Sequence, residues 1–391
     1  MTYTQTMERI QYYNPEKVAF GIGSLEQFIS DFLNLSHKKL YLITIEPMLS
    51  TLNNMLVRFG AARILTIVNT SIRDEPSFED FERLLAEATA FGADSVVGIG
   101  GGSVMDTAKL IAAQLYNDQT VADVLVSGFS KPRGTYLACI PTTSGTGSEV
   151  SPNAIFLNSS GEKTGVISRN LVPDGAYIDP ALTFTVPAAL TAATGIDGLA
   201  HCIEAYTNKF AHPHTDLIAL EGVRLIGKSL KKACENGFDA EARANVALGS
   251  MYGGMCLGPV NTAAVHALAY PLSKEFHIPH GLSVALLLPY VMEFNLSAAP
   301  DRHAAVAIAL GVDENISVMD TAALGVRLIK ELIKACGLPT SLAQVQVPFT
   351  AINELAISAL KVQRLLKNNP RNVSAGDAEE IYKAAFNHQI E

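Results

Sequence analysis

Through the first half of the chain, short apolar runs alternate with stretches whose apolar positions recur at helical spacing. Residues 40–45, 63–68 and 95–99 read as buried strands, and residues 48–59, 77–91 and 104–115 as the helices between and after them. In the second helix, Phe78, Phe81, Leu84, Leu85 and Ala88 form one apolar stripe, with Ser77 as the N-cap and Asp80 in the first turn. Strand–helix alternation of this kind predicts a parallel sheet covered by helices on both faces. Residues 136–140, 154–157 and 176–178 add further strands, and the turn Asn158-Ser159-Ser160-Gly161 predicts a hairpin between two of them. Beyond Pro187 the texture changes. Ala- and Leu-rich stretches at 188–208, 216–235 and 240–257 show helical periodicity with almost no strand signal. Pro180 and Pro187 bracket the link, so the expected fold class is an α/β domain over residues 1–184 followed by an all-helical domain over residues 185–391.

Composition narrows the function. With 48% hydrophobic and 17% charged residues, the chain has material for large cores and is not a disordered segment. A formal net charge of -9 with no Lys/Arg block argues against a nucleic-acid binder, which needs a basic face. The five cysteines include no CxxC pair and are odd in number, as expected of reduced thiols in a cytoplasmic protein. Residues 1–9 lack the apolar core of a signal peptide, and no apolar run reaches the roughly 20 residues of a membrane span.

Two loops carry candidate binding chemistry. The strand ending at Ile99 runs into Gly100-Gly101-Gly102-Ser103, and a helix begins at once. Glycines let backbone approach a ligand closely, and the helix start offers unpaired N–H groups and the positive end of its dipole, a seat for a pyrophosphate. The spacing is neither GxGxxG nor a P-loop, and the loop alone would also serve as a tight turn. The second loop, Pro141-Thr142-Thr143-Ser144-Gly145-Thr146-Gly147-Ser148-Glu149, also follows a strand, which puts its hydroxyls at the carboxyl edge of the sheet where such folds bind ligands.

Asp197 and His201 lie four residues apart, on one face of a helix, where they can share a cation or simply hydrogen-bond each other. His266 sits in a strongly apolar helical stretch, where an unpaired imidazole is costly, and His280 opens another apolar helix just before Gly281. Three imidazoles and one carboxylate suit Fe²⁺ or Zn²⁺ and leave room for a substrate oxygen. His37, His212, His214, His303 and His388 have no comparable context and are expected at the surface.

Together these segments resemble the iron-containing (group III) alcohol dehydrogenase family. The resemblance rests on GGGSxxDxAK at 100–109, PTTxGTGSE at 141–149, DxxxH at 197–201 with Glu204-Ala205-Tyr206, and the stretch from His266 to His280-Gly281. It implies a dehydroquinate-synthase-like nucleotide domain, a helical metal-binding domain, and hydride transfer between an alcohol and NAD, with NADP the alternative. It places the metal on Asp197, His201, His266 and His280, and the pyrophosphate at Gly101, Gly102 and Ser103, with Asp106 of the same motif also among the cofactor-binding residues. It further implies cofactor contacts from Thr142, Thr143, Thr146, Lys163 and Leu182, and a homo-oligomer, dimer or larger. Two positions depart from the family pattern. Tyr270 stands where many members carry a histidine near the nicotinamide, leaving Tyr270, His277 or a solvent chain as the proton route. Glu46, rather than an earlier Asp, follows the first strand of the nucleotide domain, a weak preference for NAD. A polyol dehydrogenase of the glycerol-dehydrogenase type and a dehydroquinate-synthase-type lyase are the rival readings; the alcohol or aldehyde itself is open.

Overall fold

The computed structural model describes residues 9–158, 161, 163–313 and 316–386. The chain forms two compact units. The α/β unit, Tyr13–Thr143 with Gly147–Thr183, contains β1 (Lys17–Phe20), α1 (Ser24–Leu33), β2 (Lys39–Thr44), α2 (Leu49–Ala61), β3 (Leu65–Asn69), α3 (Phe78–Phe91), β4 (Ser95–Gly100), α4 (Gly102–Gln114), α5 (Val121–Ser127), β5 (Tyr136–Pro141), β6 (Asn153–Leu157), β7 (Lys163–Ile167) and β8 (Gly175–Ile178). Six strands make a parallel sheet in the order β1-β8-β5-β4-β2-β3.

Side-chain alternation explains the two helical layers. From β2, Leu40 and Leu42 join the core under α1 and α2, while Tyr41 and Ile43 join the one under α3 and α4. Every residue of β4 is buried, as a central parallel strand requires. Ser77 and Asp80 close a reciprocal capping box at α3, the predicted start signal.

Three features differ from the expectation. The strand β1 and helix α1 have no counterpart in it. The turn after β6 leads to β7, which pairs antiparallel with it, and not to the strand at 175–178, which belongs to the main sheet. Of the turn itself, Gly161 donates to the Asn158 carbonyl at positive φ, while Ser159 and Ser160 lie outside the described residues, as do residues 1–8 and His388. Finally, His303 is not at the surface. It is 1% exposed inside the helical unit, its Nδ1 3.0 Å from the Ala299 carbonyl one turn earlier, because its helix turns that face inward.

The helical unit comprises residues 184–386 with short pieces at 9–12 and 144–146. Its helices are α6 (Ala188–Thr207), α7 (Pro213–Glu235), α8 (Ala240–Cys256), α9 (Ala264–Phe276), α10 (His280–Asn295), α11 (Pro300–Ala309), α12 (Val318–Ala335), α13 (Ile352–Ala359), α14 (Gln363–Leu366) and α15 (Ala375–Phe386). One apolar core runs through it, from Ile196 and Leu199 of α6 to Ile381 and Tyr382 of α15. Helices α6, α7 and α8 approach closely through glycines. A Cβ on Gly222 would lie 2.4 Å from Cys202 Sγ, and one on Gly249 2.6 Å from Ile226. The buried α6 that results is what carries the site.

Candidate metal centre and nucleotide loops

Helix α6 turns Asp197, His201 and Glu204 inward, each 3–5% exposed. Their spacing of four and then three residues places them on one face. His266 comes from the first turn of α9, 3% exposed, and His280 is the first residue of α10. His280 reaches Asp197 because Gly281 lets α10 begin against α6: a Cβ there would sit 2.4 Å from the Ala193 carbonyl oxygen. Asp197 Oδ1 is 3.3 Å from His266 Nε2, 3.6 Å from His280 Nε2 and 3.8 Å from His201 Nε2. The His201 and His266 rings stack with centroids 4.7 Å apart, and those of His266 and His280 lie 5.4 Å apart.

These atoms fit a metal ion. Ligands at about 2.1 Å in tetrahedral array stand about 3.4 Å from one another, close to the separations seen. Asp197 Oδ1 and His266 Nε2 are buried with no hydrogen-bond partner, although buried polar groups of this kind are normally paired. Donor atoms of Asp197, His201 and His266 all lie within 4.8 Å of one another. The side chain of His280 is 25% exposed, which marks the open side of the cluster.

The electrostatics also call for a cation. Burial alone would raise Asp197, but His201, His280 and His266 outweigh it and hold its carboxyl below its ordinary value. Burial presses His266 down, yet the carboxylates of Glu204 and Asp197 lift it to about 10. His201 goes the other way, lowered by burial despite Asp197. Two buried carboxylates thus draw positive charge into the cluster, a charge that a divalent ion would supply.

Glu204 was not picked out by sequence reasoning beyond its place in a motif. One oxygen accepts from the backbone N–H groups of Ala263 (3.0 Å) and Val265 (2.7 Å), and the other meets His266 Nδ1. The signal was its position seven residues after Asp197. Of the two proton-route candidates, Tyr270 lies beside the cluster, its ring centroid 5.9 Å from that of His280, with Arg364 Nη2 3.3 Å from its hydroxyl. His277 is exposed at the C-terminal end of α9, with φ 53°.

In the α/β unit the glycine-rich turn works by close packing. None of Gly98, Gly100, Gly101 and Gly102 adopts positive φ. A Cβ on Gly98 would meet Ala108 Cβ at 2.9 Å, and one on Gly100 would meet Val104 at 2.7 Å, so α4 can press onto β4 only without side chains there. Gly101, Gly102 and Ser103 are partly exposed, and no side chain caps the start of α4. Asp106 differs from these. Its two carboxylate oxygens accept from Ser148 Oγ and from the Ile155 N–H at 2.8 Å, so it braces the second loop from within. Lys109, fully buried, does the same through the Ser148 carbonyl at 2.9 Å and the Ser148 and Ser151 hydroxyls at 3.0 and 3.3 Å. Thr142 is buried and donates its N–H to the Gly100 carbonyl, while Thr143 and Thr146 are partly exposed. Lys163 pairs with Glu75, and Leu182 lies half-buried in the short turn Pro180–Thr183.

A parallel α/β unit with an open glycine turn, joined to a helical unit bearing a carboxylate–imidazole cluster, defines a metal- and nucleotide-dependent dehydrogenase architecture. The family models agree: residues 15–180 match the model "Iron-containing alcohol dehydrogenase", and residues 191–386 match the C-terminal model of the Fe-containing alcohol dehydrogenase family. The chain belongs to this family, and it is an NAD(P)-dependent alcohol dehydrogenase. It is 38% identical over 382 residues to long-chain-alcohol dehydrogenase 1 of Geobacillus thermodenitrificans, covering 94% of both chains. It is 32% identical to the sulfoacetaldehyde reductase of Bilophila wadsworthia, covering 96% of this chain and 98% of that one. Among solved structures it resembles an alcohol dehydrogenase from Oenococcus oeni (TM-score 0.91, 28% identity) and a 1,3-propanediol oxidoreductase (TM-score 0.89, 29% identity). Each covers 97% of this chain and is itself matched over its full length.

Proposed function

We propose that the enzyme interconverts an alcohol and its aldehyde or ketone with NAD at a ferrous centre held by Asp197, His201, His266 and His280. The observation that carries this reading is the buried, partnerless Asp197 Oδ1 facing three imidazole nitrogens at 3.3–3.8 Å. A divalent metal bound there supplies Lewis acidity toward a substrate oxygen, and the nicotinamide carries the hydride. The chain's own residues do the rest. Gly101, Gly102 and Ser103 offer backbone N–H groups at the uncapped start of α4 to the pyrophosphate. Thr142, Thr143, Thr146, Lys163 and Leu182 are the further proposed cofactor contacts. Asp106 and Lys109 hold the second loop in shape from beneath. NAD is proposed over NADP on the acidic Glu46, exposed just past the end of β2, although its carboxylate is paired with Arg73 at 3.4 Å.

Tyr270 is the better placed proton carrier, next to His280 and hydrogen-bonded from Arg364. His277 would need to reach in from an exposed helix end. The enzyme is further proposed to act as a cytoplasmic homo-oligomer. Support comes from its five free thiols and from Val18 and Phe20, each 37% exposed on the edge strand β1. Among the described residues no helix is long and apolar enough to cross a membrane.

Metal analysis combined with NADH absorbance on a panel of primary alcohols, diols and aldehydes tests the proposal. His280→Ala should lose both bound iron and turnover. Full turnover in a His280→Ala protein with verified metal content would remove His280 from the ligand set.

A further inference from the structure

We infer that Glu204 is a positioning residue that sets the tautomer of His266 and so makes its Nε2 available to the metal. The inference rests on the ligand assignment proposed above. Helix α9 begins at Ala264 after Ala263, which has no side chain able to cap it. The cap comes instead from α6. Glu204 Oε1 accepts the N–H groups of Ala263 and Val265, at 3.0 and 2.7 Å, and Oε2 meets Nδ1 of His266, the next residue along α9. All four residues are 4% exposed or less, so water does not share these bonds.

A carboxylate only accepts hydrogen bonds, so the proton between it and His266 resides on Nδ1. Nε2 is then the nitrogen with a free lone pair when the ring is neutral, and it is the one facing Asp197 Oδ1 at 3.3 Å. One side chain therefore fixes both where α9 starts and which imidazole nitrogen can coordinate. Histidine ligands depend on such a partner for ring orientation and basicity.

The amide in Glu204→Gln separates these roles. Its oxygen is required by the two backbone donors, which leaves its NH₂ facing Nδ1. That contact is satisfied only when Nδ1 accepts, which moves the proton to Nε2 and blocks coordination. The reversed amide would set its NH₂ against two buried N–H donors.

The test is Zn²⁺ affinity by chelator competition on the full chain, with melting of the metal-free proteins alongside. Glu204→Gln is expected to bind Zn²⁺ about 10–100-fold more weakly than wild type, while the metal-free variant, with one partner of a buried charged pair neutralised, melts lower than wild type but still cooperatively. His266→Ala is expected to lose the ion. Affinity of Glu204→Gln within twofold of wild type, with His266→Ala deficient, overturns the role of Glu204 and leaves the ligand set standing. Undiminished Zn²⁺ binding by His266→Ala overturns the ligand reading itself. A measurement on the wild type needs no variant to fold: nitrogen-15 NMR of the Zn²⁺-loaded protein should show His266 protonated at Nδ1, and a bare or metal-bound Nδ1 overturns the inference.

Discussion

Glu149 offers a sharp test of the physics beneath the second loop. It is 3% exposed, and burial lifts its carboxyl from an ordinary 4.5 to about 7, against the opposing pull of its own backbone N–H and of Lys109. Between those two values the folded chain keeps a proton that the unfolded chain has lost. Folding stability therefore falls as pH rises through that window, and the loss is complete above it. The displacement corresponds to about 3 kcal/mol at most, and about 2–3 kcal/mol of it develops between pH 5 and pH 8. Glu149→Gln removes the titration. Any pH-independent cost of fitting the amide cancels when the variant and wild type are compared at the two pH values. The metal-free, nucleotide-free proteins should be melted by calorimetry from pH 5 to pH 8 at constant ionic strength. Relative to wild type, the variant's melting temperature should rise by about 3 °C if the chain unfolds as a whole, or about 7 °C if the α/β unit unfolds alone. Parallel profiles for the two proteins would refute the reasoning, because they would mean that Glu149 titrates alike in the folded and unfolded chains.

Two further outcomes concern the metal centre. Gly281→Ala places a methyl 2.4 Å from the Ala193 carbonyl oxygen, so the start of α10 must shift and carry His280 with it. About 1–3 kcal/mol of destabilisation and at least a tenfold loss of Zn²⁺ affinity are expected, read by melting and chelator competition; unchanged affinity would mean that His280 does not ligate. Tyr270→Phe keeps the ring beside His280 but removes the hydroxyl that Arg364 donates to. If that hydroxyl carries the proton, kcat should drop by about 100-fold with bound metal unchanged; an unaltered kcat would assign Tyr270 to packing alone.

Local pattern carried much of this molecule. Continuous apolar runs and helical stripes were enough for the parallel sheet and the all-helical second half, because burial of those faces is dictated within each segment. The four-residue spacing of Asp197 and His201 already placed them on one face of α6. Edge strand β1 escaped because Lys17–Phe20 is mostly exposed and shows no clean alternation. Helix α1 did carry a stripe, in Leu25, Phe28, Ile29 and Phe32, that would have marked it. His303 shows the limit of residue-type reasoning, since a polar side chain in a helix can face the core once its Nδ1 finds a backbone carbonyl.

What only the tertiary structure decided is convergence. His266 and His280 are recognisable as unusual in sequence, but their approach to Asp197 depends on α9 and α10 meeting α6, which Gly281 permits. The glycine-rich turn read as a candidate nucleotide seat from its composition, whereas Gly98 and Gly100 proved to be required by the packing of α4 on β4, not by backbone angle. Asp106 was expected among the cofactor-binding residues, and the fold engages both its carboxylate oxygens with Ser148 and Ile155. Glu204 was one acidic residue in a motif until the fold brought the start of α9 to it. Sequence spacing determines which side chains share one helix face. Which faces meet, and so which buried donors and acceptors can satisfy one another, is settled only when the helices pack.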